Sequence, residues 1–385
     1  MSKNFFVFLL SVPYFYFSGY IGLFGDPHLV TLRSISFILL LIFFYVEKIS
    51  IMNVLKPILP FLVVTFGITI LNRADLYSYM LFIMHCVFMI LLAYLLILKS
   101  KLRNILSGYF ILSGVLGLLF LNYQFGSDGY DNEVRFWGTR NVMGELLIPI
   151  LTFSLFCNEL KKYKNKFMKR YVDILILILF IYPLFYYKSS TAQSVSFIFL
   201  LLLILREKFK QNSYVLYKRS FIIIGCLFLV IQFMQLSFLN NILSSWFDKD
   251  ATFSNRTLLW AQAYISIFKS PLIGYGYDSL ETKNFELLGQ ELTFSAHNMI
   301  LELILYFGVI GFCSFGYYVY VSFLKIKKIS GIVPRSLYIL LVGNFCFLIY
   351  YLFEARSSIG MFVFVLSFII NYQKIKYNEI NSNYN

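Results

Sequence analysis

Apolar runs of about 20 residues recur along the whole chain, separated by short clusters of charge, and a helix of that length can cross a ~30 Å hydrocarbon core. Read between the charge clusters, the runs predict about twelve spans. They lie near 5–23, 30–47, 55–72, 77–98, 104–122, 141–158, 170–187, 190–206, 219–239, 309–324, 335–352 and 357–373. The pattern predicts an all-α integral membrane protein: a single polytopic domain over 1–385, with a shorter loop at 122–141 and a large one at 240–296, between spans nine and ten. No internal repeat is visible. The first run follows a lone Lys3 and has no small-residue cleavage site, so it reads as an anchor.

Composition excludes a soluble enzyme. Of 385 residues 59% are hydrophobic and only 14% charged, against about 45–50% and 25% in soluble domains. Cys86, Cys157, Cys226, Cys313 and Cys346 all fall within apolar runs without paired spacing, which points to packing and away from disulfides or zinc.

Charge orients the spans. Basic residues collect on alternate connections: Lys3; Lys48 and Lys56; Lys99, Lys101 and Arg103; the run "KKYKNKFMKR"; Arg206 to Arg219; Lys325 to Arg335; Lys374 and Lys376. By the positive-inside rule this side is the cytoplasm, which places both termini there in a multi-pass protein of the cytoplasmic membrane. Most acids lie on the other side. The net charge of +14 is therefore a topology signal with anionic lipid as its partner, and no nucleic-acid partner is implied.

The two outer loops hold the candidate chemistry. In the larger, "FSNRTLLWAQAYISIFKSPLIGYGYDSL" predicts a helix along the membrane surface, capped by Ser254 and stopped by Pro271, Gly274 and Gly276. Arg256 falls in its first turn, where free N–H groups and a guanidinium fork can converge on a diphosphate; the alternative is an ion pair with Asp248 or Asp250. His297 and Asn298 lie where the loop returns to the membrane, with Ser295 as the expected cap of a helix ending at "FGVIG". On that helix Asn298 and Glu302 would share a face, with His297 about 100° away. A histidine at the interface can take a proton from a hydroxyl near neutral pH; the alternative is a residue that merely anchors the interface.

In their order these residues resemble the hallmark region of the O-antigen ligase and polymerase superfamily: "R-x-x-x-W" (Arg256, Trp260), "PLIGYG" (271–276), "AHN" (296–298) and Gly308 with Gly311. "RFWGTRNVMGELL", with Arg135, Gly138 and Asn141, resembles the upstream "R-x-x-G-x-x-N" segment. The chain departs from the family after span seven, where "YYKSSTAQSV" offers Lys188 in place of an arginine, and a lysine cannot reproduce a bidentate fork.

The resemblance implies glycosyl transfer at the outer leaflet from an undecaprenyl-diphosphate-linked oligosaccharide, with a second such molecule as acceptor. It implies His297 as base and Arg256 on the leaving diphosphate. Arg135, Arg140 and Arg356 are expected as further diphosphate contacts, with Asn141, Trp260, Asn298 and Glu302 holding diphosphate or sugar. No cofactor or metal is expected, although "FDKDA" places Asp248 and Asp250 in a D-x-D spacing. A chain-length regulator and a flippase of the same pathway are the expected protein partners.

Three functions are compatible with this reading: a polymerase of lipid-linked repeat units, a ligase moving the glycan to another acceptor, and a flippase or transporter. A transporter should show internal repeats, interrupted helices and midplane charges, whereas this chain concentrates polar residues in outer loops, and the polymerase is preferred. His85 inside a span reads as a packed, hydrogen-bonded residue, and Asp26 with His28 as turn chemistry.

Overall fold

The computed structural model describes residues 2–15, 28–124, 126–127, 133–137, 143–163, 165–187, 189–206, 212–233, 256–277, 285–287, 290–292, 296–329, 333–353 and 359–375. Its helices are α1 Lys3–Ser11, extended by a 3₁₀ turn to Phe15, then α2 Leu29–Val46, α3 Ile51–Leu55, α4 Leu59–Leu71, α5 Leu76–Leu98 and α6 Ser100–Leu119. They continue as α7 Met143–Leu160, α8 Lys166–Tyr186, α9 Ser190–Ile204, α10 Ser213–Phe233, α11 Arg256–Lys269, α12 Met299–Lys327, α13 Arg335–Tyr351 and α14 Ile359–Ile370. Two small antiparallel ribbons, β1 Gly126–Ser127 with β2 Glu133–Val134 and β3 Phe285–Leu287 with β4 Gln290–Leu292, sit in the two polar loops.

Every predicted apolar segment contains a helix, but the segments are not equal. Among the described residues six helices, α2, α5, α6, α7, α10 and α12, are long and apolar enough to cross a membrane, and the other apolar helices are shorter. The membrane character follows from these six. α8 carries Lys166, Lys169, Arg170 and Asp173 near its start.

Capping residues fix where several helices begin. Ser2, Ser50, Asp75 and Asn165 each accept hydrogen bonds from main-chain N–H groups of the turn they open, a contribution of about 1 kcal/mol apiece. α14 is buried along its whole length and packs on α5, α7, α12 and α13. α7 is nearly as enclosed, between α8 and α13. By contrast α2 presents Val30, Leu32, Ile35, Ile38 and Ile42 outward, the surface that lipid chains would cover.

Small residues let the central helices approach. A Cβ on Gly144 of α7 would stand 2.3 Å from the Tyr350 ring of α13, and one on Gly343 of α13 would stand 2.2 Å from Thr152 of α7. Such contacts matter because lipid tails are as apolar as leucine, so dispersion and interhelical hydrogen bonds must hold the bundle. The latter include Tyr217–Ser322, Tyr318–Ser367 and Ser336–Tyr372, at 2.6–3.0 Å. All five cysteines are free; Cys86, Cys157 and Cys346 are buried, while Cys226 and Cys313 face outward.

One end of the bundle gathers ion pairs. Lys3 and Lys99 hold Glu47 at 2.6 and 3.3 Å, Lys169 holds Glu159 at 2.9 Å, and Arg335 reaches both Glu159 and Asp173. The two lysines keep the Glu47 carboxyl below the usual carboxylate range by hydrogen bonding. The helix ends at Leu119, Tyr186 and Tyr351 and the start of α12 lie at the other end.

Candidate active site

Gly274 and Gly308, two of the glycines that carry the resemblance, belong to one structural unit. At Gly308, where φ is 62° and ψ −172°, α12 breaks and then resumes. An unbroken helix would pair the carbonyls of Leu305 and Tyr306 with the N–H groups of Val309 and Ile310. The segment 271–276 supplies all four partners instead. Tyr275 N and Gly276 N donate to Leu305 O and Tyr306 O at 2.9 and 2.7 Å, while Pro271 O and Leu272 O accept from Val309 N and Ile310 N at 2.9 and 3.1 Å. Glycine is required by contact as well as conformation: a Cβ on Gly308 would meet Leu272 O at 2.1 Å, and one on Gly274 would meet Leu305 O at 2.4 Å. The helix expected to end at "FGVIG" thus runs on to Lys327, because a loop repairs its backbone at the break.

α11 leads into that loop. Trp260, Ala263 and Ser266 are buried along one side, and α11 packs on α12. Ile265, Phe268, Leu272 and Ile273 are exposed, the apolar face that a helix lying in the membrane interface needs. The Tyr275 hydroxyl donates to Ser266 O at 2.9 Å and closes the turn between helix and loop; burial raises this phenol above its ordinary pKa, so it stays a donor.

The His297 corner is built on the same frame. The Trp260 indole N–H donates to Ala296 O at 2.8 Å, and both residues are fully buried. Asn298, rather than Ser295, caps α12: its Oδ1 accepts from Ile300 N and Leu301 N at 3.0 and 3.2 Å. Ser295 itself lies outside the described residues. The other arm of the Asn298 amide donates to Leu352 O at 2.9 Å, just past α13. His297, partly buried, therefore precedes the helix, and its φ of 45° is a left-handed conformation uncommon for a side-chain-bearing residue. The expected 100° offset from Asn298 around one helix does not apply. Glu302 sits in the first turn of α12, 9% exposed, with its N–H on Asn298 O at 2.9 Å, where the positive end of the helix dipole favours an acid.

The structure thus brings Trp260, His297, Asn298 and Glu302 together around the start of α12. Arg256 opens α11 as its first residue, one turn before Trp260. Arg135 has its own anchorage at the ends of α6 and α8: it donates to Asn122 O at 3.2 Å, and its guanidinium lies 5.7 Å from the Tyr187 ring centroid. Trp137 beside it is buried against Gly117 of α6 and packs edge-on to Phe180 of α8, 6.1 Å between centroids. Arg140, Asn141, Lys188, Asp248, Asp250, Ser254 and Arg356 lie outside the described residues. Among the described residues no three His, Cys, Asp or Glu side chains form a metal-binding group.

One acid escaped the sequence reading. Glu145, 4% exposed in the first turn of α7, neighbours Gly144, whose Tyr350 contact sets it at the end of α13 that Asn298 also grips. The available signal was an acid inside an apolar run, immediately after the "RNVMG" segment.

No curated protein and no solved structure matches the chain. Residues 174–316 match the family model described as O-Antigen ligase. The matched stretch contains α11, the 271–276 loop, the His297 corner and the Gly308 break, whereas Arg135 lies upstream of it. With those elements and its long apolar helices, the chain is a multi-pass membrane protein that carries a region similar to the O-antigen ligase family at residues 174–316.

Proposed function

We propose that this protein is a polymerase that joins undecaprenyl-diphosphate-linked oligosaccharide repeat units into a surface polysaccharide at the outer leaflet of the cytoplasmic membrane, with both termini in the cytoplasm. The observation that carries the reading is the Trp260–Ala296 hydrogen bond, which fixes the His297 corner beside an interfacial helix that begins with Arg256. A hydroxyl of the acceptor sugar attacks the anomeric carbon of the donor, His297 takes the hydroxyl proton, and the bond to the lipid diphosphate breaks. The departing diphosphate meets Arg256 and the N-terminal N–H groups of α11, a preorganised arrangement for developing negative charge. Arg135, Arg140 and Arg356 are the further contacts proposed for the diphosphate, with Asn141 on the same segment as Arg140. A chain-length regulator and a flippase are proposed partners.

Ligase activity is the second reading, favoured by the description of the matching family model; the acceptor is then a different glycan. A flippase draws support from the interrupted α12, but the backbone groups of Leu305, Tyr306, Val309 and Ile310 at the break are taken up by hydrogen bonds to the 271–276 loop rather than offered to a transported solute. Purified protein and a synthetic lipid-diphosphate repeat unit test the reading. Ladders of lengthening glycan on the lipid are expected; transfer solely to an added foreign acceptor would establish the ligase instead.

A further inference from the structure

Near the end of the bundle where Arg335 binds Glu159 and Asp173, α10 and α13 stand apart across a groove. On α10, Leu216, Arg219, Ser220 and Ile223 recur at i, i+3, i+4 and i+7 and form one stripe. Tyr338, Leu341, Val342 and Phe345 repeat that spacing on α13. With Leu202 of α9 the two stripes line a cavity of about 150 Å³. α10 is gripped from a different side: Tyr217 shares a hydrogen bond with Ser322 at 2.8 Å, and the Tyr217 and Phe221 rings lie 4.6 and 5.0 Å from Phe323 of α12. The helix is thus seated on α12 while its 216–223 stripe fronts the gap.

The chemistry of the walls selects the guest. Both lining hydroxyls spend their protons on the main chain, Ser220 Oγ on Leu216 O at 3.0 Å and Tyr338 Oη on Leu202 O at 2.6 Å. Leu202, Leu216, Ile223, Leu341, Val342 and Phe345 offer hydrocarbon. Arg219 is exposed, and an arginine can lay its stem along apolar surface with its head at the interface. Apolar cavities of about 150 Å³ stay dry and take up apolar guests. The medium beside this one is itself hydrocarbon, because Val215 and Ile222 on the next stripe are exposed on a helix long and apolar enough to cross a membrane.

We infer that this groove holds an acyl chain of a membrane phospholipid, which fills the space between α10 and α13. The site is separate from the His297 corner, which meets α13 at its other end through Leu352, and it does not depend on glycosyl transfer.

The test is photo-crosslinking of the purified full-length protein in neutral detergent, with a substoichiometric phosphatidylglycerol that carries a diazirine in one acyl chain and with mass spectrometry to map the labelled residues. Label should fall on Leu216, Ile223, Leu341 or Phe345 about tenfold above Val215 and Ile222, which lie at the same depth of α10 outside the groove. Val342→Phe and, from the opposite wall, Ser220→Leu fill the groove and should remove that excess, whereas Ile222→Phe should keep it. Unlabelled phosphatidylglycerol should displace the label at lower concentration than a polyprenyl phosphate. The wild-type distribution and its competition decide the matter even where a filling variant melts early. Label spread evenly over both stripes, or an excess that survives both filling variants, would overturn the inference. So would the reverse order of competition, which would give the groove to the tail of a lipid-linked substrate.

Discussion

The side-chain amide of Asn298 caps α12 through its oxygen and holds Leu352 O, past the end of α13, through its nitrogen. One residue thus determines both where α12 starts and where the chain just past α13 is pinned. Asn298→Asp keeps the capping oxygen and loses the donor; Asn298→Ala loses both. The expected order of stability is wild type, then Asp, then Ala, with about 1 kcal/mol for the cap and a further 1–3 kcal/mol for the buried carbonyl left without its donor. Thermal unfolding in detergent measures this, and equal loss in the two variants would refute the division of labour.

His297 occupies a left-handed conformation, so alanine there confounds backbone strain with chemistry. Asparagine tolerates that conformation well. His297→Asn should therefore leave abundance and melting behaviour close to wild type while lowering turnover by about 10²–10⁴-fold, the usual share of a general base. Gel analysis of polysaccharide from a complemented deletion strain, alongside the purified assay, reads both quantities. Near-normal chain lengths would remove His297 from the reaction.

Gly308→Ala must force a Cβ into Leu272 O and hold a backbone conformation almost confined to glycine, a strain of about 1–3 kcal/mol before the clash is counted. The variant should express poorly and expose the 271–276 loop to protease added from outside. Gly316, with open space around its Cβ position farther along the same helix, is the control: Gly316→Ala should behave as wild type.

Arg256→Lys keeps the charge at the start of α11 but loses the fork. It should retain measurable turnover while Arg256→Ala loses nearly all, a gap of about 1–3 kcal/mol in barrier height. EDTA should leave the wild-type rate unchanged. If both substitutions were mild, as for an exposed ion pair contributing about 0–1 kcal/mol, Arg256 would have no role at the diphosphate.

Much of the architecture was legible because helices in lipid are long, apolar and bounded by charge. The helical segments and the helix ending before Pro271 follow from local pattern, whereas the nearness of Trp260 to the His297 turn is a long-range contact that local pattern does not encode. The break at Gly308 was not legible, since its hydrogen bonds come from residues more than thirty positions earlier. The cap of α12 was misplaced for a related reason: Ser295 and Asn298 are both good caps by type, and only the bond to Leu352 O decides between them. Glu145 was overlooked because burial in a helix's first turn has no sequence signature apart from the acid itself.

The repaired break in α12 has a bearing on biogenesis. Until the 271–276 segment arrives, the first half of α12 carries two bare carbonyls and the second half two bare amides, each costing several kcal/mol in a lipid environment. The loop is synthesised before the helix it completes, so it must already be waiting beside the insertion site when α12 leaves the insertion machinery. Maturation of this transmembrane helix is thereby coupled to placement of the preceding loop, and a chain whose loop is delayed would present quality-control proteases with an unsealed helix.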